Sequence, residues 1–177
     1  MGVAGVILVW LVATYNHFIR LRNRADEAES DIEVQLKRRF DLIPNLVEAV
    51  KGYMGHESGV LESVTKARTE AMGAGNAQGR NKADNVLTGA LKTLFAVAES
   101  YPDLKANTNF LELQRELADT ENKIQAARRF YNSQIMDLNT HIDSFPSNVV
   151  AGVFGFKKKD FFDLAEEAAK EPVSVKF

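Results

Sequence analysis

Carboxylates and histidines at helical spacing are the first place to look for chemistry in this chain. A di-metal centre in a helical bundle needs Glu-x-x-His pairs, which set both ligands on one helix face. The chain has 24 acidic side chains and 3 histidines. His56 stands three residues after Tyr53, His141 three after Leu138, and His17 three after Thr14, so no such pair forms. No metal and no cofactor are expected. With no cysteine there is no thiolate ligand, thiol nucleophile or disulfide scaffold. No glycine-rich phosphate loop follows a strand. Ser63, Ser100, Ser133 and Ser144 lie in no nucleophile elbow. The residues encourage no catalytic reading, and the protein is expected not to be an enzyme.

Two basic clusters invite a binding role. Lys37, Arg38 and Arg39 lie on the first long helical pattern, roughly 27 Å beyond Arg20, and Arg128 and Arg129 lie about 25 Å before Phe145 on the last one. In an antiparallel pair they share one height. They could form a belt that receives an acidic partner surface. Alternatively, they cap the carbonyl end of a helix finishing near Met72, or pair with Glu33, Asp41 or Glu121. Nucleic acid is not expected, since the net charge is −2 and no aromatic platform accompanies the arginines.

A third candidate is the stretch after residue 148. Phe154, Phe156, Phe161 and Phe162, with Lys157, Lys158 and Lys159, suit the boundary of a bilayer, where apolar burial and attraction to anionic lipid add. The competing reading has these phenylalanines cover the end of a bundle or an adjacent protomer. Beyond them, Val173, Val175 and Phe177 alternate and could add an extended strand to a partner.

The elements that would position these residues are helices. Residues 2–13 are uncharged, and 1–19 as a helix would reach roughly 28 Å, close to the hydrocarbon thickness of a bilayer. A membrane anchor is expected, with a cleaved signal peptide and a buried core helix as alternatives. No basic side chain precedes the run, whereas Arg20, Arg22, Arg24, Lys37, Arg38 and Arg39 follow it. Positive-inside bias places the N-terminus outside and the bulk of the chain in the cytoplasm, a single pass of the cell (inner) membrane.

Leu21, Ala25, Ala28, Ile32, Leu36, Phe40, Ile43, Val47, Val50 and Met54 recur at about 3.67 residues per step. Pro44 falls inside this pattern and deprives the Phe40 carbonyl of its helical partner, so a kink is expected there. Further helices are expected over 56–72 (Val60, Val64, Ala67 and Ala71 inward), 81–101 (Leu87, Leu91, Leu94, Ala98, Tyr101) and 108–145. The last carries Phe110, Leu113, Leu117, Thr120, Ile124, Ala127, Tyr131, Gln134, Leu138, His141 and Phe145 in unbroken three-four alternation. Asn107 or Thr108 can cap it, and His141 near its end should favour its positive form. The fold class is therefore all-α: an N-terminal transmembrane helix (1–19), an antiparallel four-helix bundle with long first and last helices (20–145), and a C-terminal segment (146–177).

The two long helices outrun the two short ones. In the half near the membrane they would have only each other, and a two-helix hairpin buries too little to be stable. Copies of the same chain are the simplest cover, so a homo-oligomer is expected through Leu21, Ala25, Ala28, Ile32, Leu138, Ile142 and Phe145.

Several stretches resemble one family: Asp31-Ile32-Glu33-Val34-Gln35-Leu36-Lys37-Arg38-Arg39-Phe40-Asp41-Leu42-Ile43-Pro44-Asn45-Leu46-Val47, Ala96-Val97-Ala98-Glu99-Ser100-Tyr101-Pro102, Asp119-Thr120-Glu121-Asn122-Lys123-Ile124, Phe130-Tyr131-Asn132, and Ser144-Phe145-Pro146-Ser147-Asn148-Val149-Val150-Ala151-Gly152-Val153-Phe154-Gly155-Phe156. Together they resemble the LemA family of bacterial membrane proteins, in order along essentially the whole chain. The resemblance implies a single-pass membrane protein with a helical domain and no enzymatic activity. It also implies a role in membrane organisation, with relatives acting in magnetosome membranes. Partners would be membrane lipid, further copies of the chain, and other membrane proteins such as a protease.

Overall fold

The structure is a computed structural model, and it describes residues 2–55, 57–75 and 77–162. His56 and the tail with Val173, Val175 and Phe177 lie outside the described residues. Among the described residues six helices follow one another: α1 (Gly2–Lys51), α2 (Ser58–Gly73), α3 (Ala77–Ala98), α4 (Pro102–Lys105), α5 (Thr108–Asp143) and α6 (Ser147–Phe154). No strand occurs among the described residues, so the protein is all-α. α1 runs unbroken from the apolar stretch into the amphipathic one. The chain divides into two compact units.

One unit is Phe40–Leu117. Its core joins the end of α1 (Ile43, Leu46, Val50) with Val64 and Ala67 of α2, Leu87 and Leu94 of α3, Leu104 of α4 and Phe110 and Leu117 of α5. Helix ends are set locally. Tyr101 is extended, as a residue before proline must be, which separates α3 from the single turn of α4. Asn107 caps α5, its Oδ1 accepting the Phe110 N–H at 3.1 Å while its amide donates to Tyr53 Oη at 3.1 Å. The Tyr101 hydroxyl donates to the Glu57 carboxylate, and that hydrogen bond, helped by burial and the carboxylate's charge, raises the Tyr101 pKa above 10.0.

Pro44 lies inside α1 with the helix continuing on both sides. The Phe40 carbonyl it orphans is answered by Arg68 of α2, whose Nε donates to it at 2.7 Å. Arg68→Met should therefore lower the stability of this unit by about 1–3 kcal/mol, the cost of an unmatched, partly buried carbonyl. Pro44→Ala supplies a new N–H four residues on, so Arg68→Met should cost clearly less in that background. Denaturant unfolding of the two single variants and the double variant gives the coupling. Additive losses would mean that Arg68 acts elsewhere.

The other unit consists of the described part of Met1–Arg39 with Ala118–Phe162. Here α1 and α5 run antiparallel, since Arg39 faces Glu121 at 2.7 Å while His17 meets His141 with ring centroids 4.5 Å apart. α1 turns Phe18, Leu21, Ala25, Ala28, Ile32 and Leu36 inward, and α5 turns Ile124, Tyr131, Ile135 and Leu138 inward. Gly155 ends α6 at φ +71, and the Phe156 N–H closes on the Ala151 carbonyl at 2.9 Å, a left-handed cap that suits glycine.

From Phe156 the chain runs back along α5 without helix. Two asparagines of α5 hold it. Asn139 donates to the Lys159 carbonyl at 2.9 Å and accepts its N–H at 3.1 Å. Asn132 donates to the Phe162 carbonyl and accepts its N–H, both at 2.8 Å. Tyr131 Oη adds a donation to the Asp160 carbonyl at 3.3 Å. This strap and α6 correct the premise of the expected oligomer interface. α1 and α5 do not have only each other, because residues 147–162 of the same chain pack with them.

Candidate functional site at the foot of the apolar helix

The first turns of α1 carry a continuous run of exposed apolar residues. Val3 is 76% and Val9 70% exposed, and only 11% of the most apolar 18-residue window is buried. The core-helix reading is thereby removed, since such a helix would be covered by the rest of the protomer. By length and composition this stretch can cross a membrane.

Where the stretch ends, aromatic rings gather. Tyr15 lies 4.8 Å from Phe154 and 5.8 Å from Phe156, and Phe156 stacks on Phe18 at 4.7 Å. Phe18, Leu21, Leu138, Val150 and Ala151 form one buried cluster beneath them. Ser147, itself buried, sets its hydroxyl 2.7 Å from the His141 carbonyl and ties the start of α6 to the end of α5. α6 is thus fastened beside residues 15–21 of α1, just where the apolar stretch gives way to Arg20, Arg22 and Arg24.

The expected site residues divide unevenly over this frame. Of the seven assigned to an oligomer interface, Leu21, Ala25, Ala28, Ile32 and Leu138 are buried within the protomer, and Ile142 is half-buried against the same cluster. Phe145 alone projects outward, 84% exposed. In the basic belt, Arg39 and Arg128 are buried, Arg39 against Glu121, whereas Lys37, Arg38 and Arg129 are exposed.

Of the surface segment, Phe154 and Phe161 are exposed. Phe156 is stacked on Phe18, and Phe162 is buried edge-on against Tyr131 at 4.9 Å. Lys158 pairs with Asp143 at 2.6 Å, and Lys159 pairs with Asp26 beside Glu29. Lys157 is exposed and carries no ion pair among the described residues. Sequence reasoning did not single out Asn132 and Asn139, although two asparagines seven residues apart inside a helix, where asparagine is a poor former, were a legible signal.

His141 corrects an expectation. Its pKa is lowered from 6.5, first by burial and then by His17 beside it, so these outweigh the helix-end dipole. A base whose folded pKa is depressed contributes stability that is complete above the unfolded value. That stability declines as pH falls from 6.5 toward the lowered value, and is flat below it. Thermal unfolding should show this acid-side loss, and His141→Gln should remove that part of it. A profile unchanged by the substitution would locate the titration elsewhere. Among the described residues no three His, Cys, Asp or Glu side chains are placed to hold a metal ion.

Comparison with known proteins fits this architecture. The LemA family profile matches residues 28–177, beginning beyond the apolar stretch. The chain belongs to the LemA family. Magnetosome protein MamQ 2 and magnetosome protein MamQ 1 of Paramagnetospirillum magneticum are each 26% identical to it, over 86% of this chain and 65% of theirs. Protein LemA of Metamycoplasma hominis is 28% identical over 94% of this chain and 74% of its own. This LemA-family chain thus spans less than two thirds of the MamQ proteins it matches. None of these names denotes an enzyme.

Proposed function

We propose that this LemA-family chain is a membrane-anchored, non-catalytic scaffold that self-associates and helps to organise membrane, with its N-terminus outside and its bulk in the cytoplasm. One observation carries the reading. α1 is a single helix from an exposed apolar stretch into a packed unit, so whatever holds the first turns in lipid holds Phe18, Leu21 and the α6 cluster at a fixed distance from it. Arg20, Arg22 and Arg24 at its exit support the orientation. The names of the magnetosome relatives support a role in membrane organisation.

Self-association falls to the outward residues, since the inner seam is occupied by α6 and the strap. Cross-linking in native membranes tests it. A ladder of discrete multiples is expected, and a population that stays monomeric at physiological density would overturn the self-association. A second reading, an adaptor for a membrane protease or another membrane complex, draws on Arg38 and Arg129, the two exposed arginines of the belt. Charge reversal at both should then release a protein partner from pull-down while leaving the fold intact.

A further inference from the structure

We propose that α6 is a second bilayer contact, with its outward Val149 and Val153 and the neighbouring Phe145 seated at the acyl–headgroup boundary and Arg22 with Lys157 receiving the phosphate of an anionic phospholipid. It rests on the anchored reading above and does not depend on self-association.

α6 has two faces. Val150 and Ala151 are buried against α1 and α5, while Val149 is 59% and Val153 74% exposed. Val149 and Val153 stand four residues apart within α6, so they share one side, exposed Phe154 extends it, and exposed Phe145 lies in the turn just before the helix. An apolar ridge of this kind beside a solvated surface requires an occupant. Its position names one. Phe154 touches Tyr15, and Phe156 covers Phe18, so the ridge begins level with the last residues of the apolar stretch and continues its exposed surface. Any bilayer that surrounds residues 2–13 reaches the level of α6. Tyr15 belongs at such a boundary, where its ring is apolar and its hydroxyl wet.

Charge complements the ridge. A cavity of about 260 Å³ opens beside Phe156, lined by Arg22, Gly155, Lys157, Lys158 and Lys159. Asp143 neutralises Lys158, while Asp26 and Glu29 neutralise Lys159. Arg22 and Lys157 carry no ion pair among the described residues, so the mouth of the cavity is left cationic. Arg22 lies seven residues past Tyr15, about 10 Å along the helix, which is headgroup depth if Tyr15 marks the edge of the hydrocarbon. A lipid with net negative charge satisfies both features, with its phosphate at Arg22 and Lys157 and its chain along Val149 and Val153. Each cation near an anionic surface biases the equilibrium roughly fivefold, so the pair should favour an anionic lipid over a zwitterionic one by roughly tenfold or more.

The chain has no cysteine, so single cysteines report cleanly. The test uses the full chain in nanodiscs of phosphatidylcholine with or without phosphatidylglycerol. An environment-sensitive fluorophore is placed at V9C, V153C or V34C, the last an exposed position about 18 Å beyond Arg22 on α1, and the lipids carry a nitroxide either shallow or deep on the acyl chain. The expected result is deep quenching at V9C, shallow quenching at V153C that strengthens with phosphatidylglycerol, and none at V34C. The R22Q/K157Q double variant should abolish the phosphatidylglycerol preference and reduce co-purifying phosphatidylglycerol roughly tenfold. Quenching at V9C but not at V153C overturns the proposal while sparing the anchor, whether α6 then lies in water or under a second copy. Absence of quenching at both sites overturns the anchored reading with it. An unchanged lipid preference in the double variant overturns the phosphate site.

Discussion

Glu121→Leu is expected to destabilise the unit that holds Arg39 by about 3 kcal/mol. The Arg39 side chain is only 3% exposed and sits 2.7 Å from Glu121, and a guanidinium cannot shed its charge to escape burial. Removing the carboxylate therefore leaves a cation in a poorly solvated site. It also takes the acceptor from the Gln125 amide, which donates to the other Glu121 oxygen at 3.0 Å. The double variant Arg39→Met/Glu121→Leu should behave differently. It withdraws both charges together and substitutes apolar groups of similar length, so it should lie within about 1 kcal/mol of the parent. Native-state hydrogen exchange at the α1 amides around Arg39 reads the effect locally, without assuming that the two units unfold together. If Glu121→Leu leaves this exchange within about threefold of the parent, the pair behaves like a surface salt bridge and the burial argument is wrong.

That arginine also shows where the sequence misleads. Apolar periodicity on α1 locates the inward face correctly at Leu21, Ala25, Ala28, Ile32 and Leu36, and all of these are buried. It then continues through Phe40 and Val47, whereas the buried positions are Arg39 and Leu46, with Phe40 and Val47 only partly covered. The same slip recurs on α5, where Arg128 is buried at the position expected of Ala127. Hydropathy scores arginine as an outward residue, so a stripe that admits a paired arginine drifts by one in a sequence reading. Helix existence was legible because it depends on local periodicity and breakers. Pro102 forces Tyr101 to be extended, and Asn107 offers a cap, as expected.

What covers the seam near the apolar stretch was much less legible. That cover is a short helix and a strap, fixed by side-chain-to-backbone hydrogen bonds over sequence separations of 20 and 30 residues. No periodic pattern announces such contacts. Phenylalanines after residue 153 could equally have faced lipid or the protein. The structure divides them: the αL cap at Gly155 turns the chain between outward Phe154 and inward Phe156, and Asn132 holds the Phe162 backbone so that its ring packs on Tyr131 while Phe161 faces out. In the stretch that begins at Val149, the residues left outward include Val149, Val153, Phe154, Lys157 and Phe161.

Asn132→Ala should release that strap. The asparagine amide makes two hydrogen bonds of 2.8 Å to one residue, donating to the Phe162 carbonyl and accepting its N–H, and Phe162 is 4% exposed. Alanine leaves both backbone groups unmatched unless the strap lifts into water. The cost of keeping it in place is about 2–4 kcal/mol, so local opening becomes the cheaper course. Amide exchange over residues 159–162 should accelerate by about 30- to 1,000-fold, while exchange in the Phe40–Leu117 unit stays unchanged. Asn132→Asp should not rescue it, because a carboxylate still accepts the N–H but faces the Phe162 carbonyl with no proton to donate. Asn122→Ala is the control, an exposed asparagine on the same helix whose replacement should be neutral or slightly stabilising. If Asn132→Ala exchanges like Asn122→Ala, the strap is held by Phe162 burial and the Lys159 pairings alone. Opening has a consequence for assembly too, since it uncovers the ring of Tyr131. Cross-linking that rises in Asn132→Ala would mark the inner seam as adhesive once bared, and self-association unchanged by it would place the native interface on the outward residues.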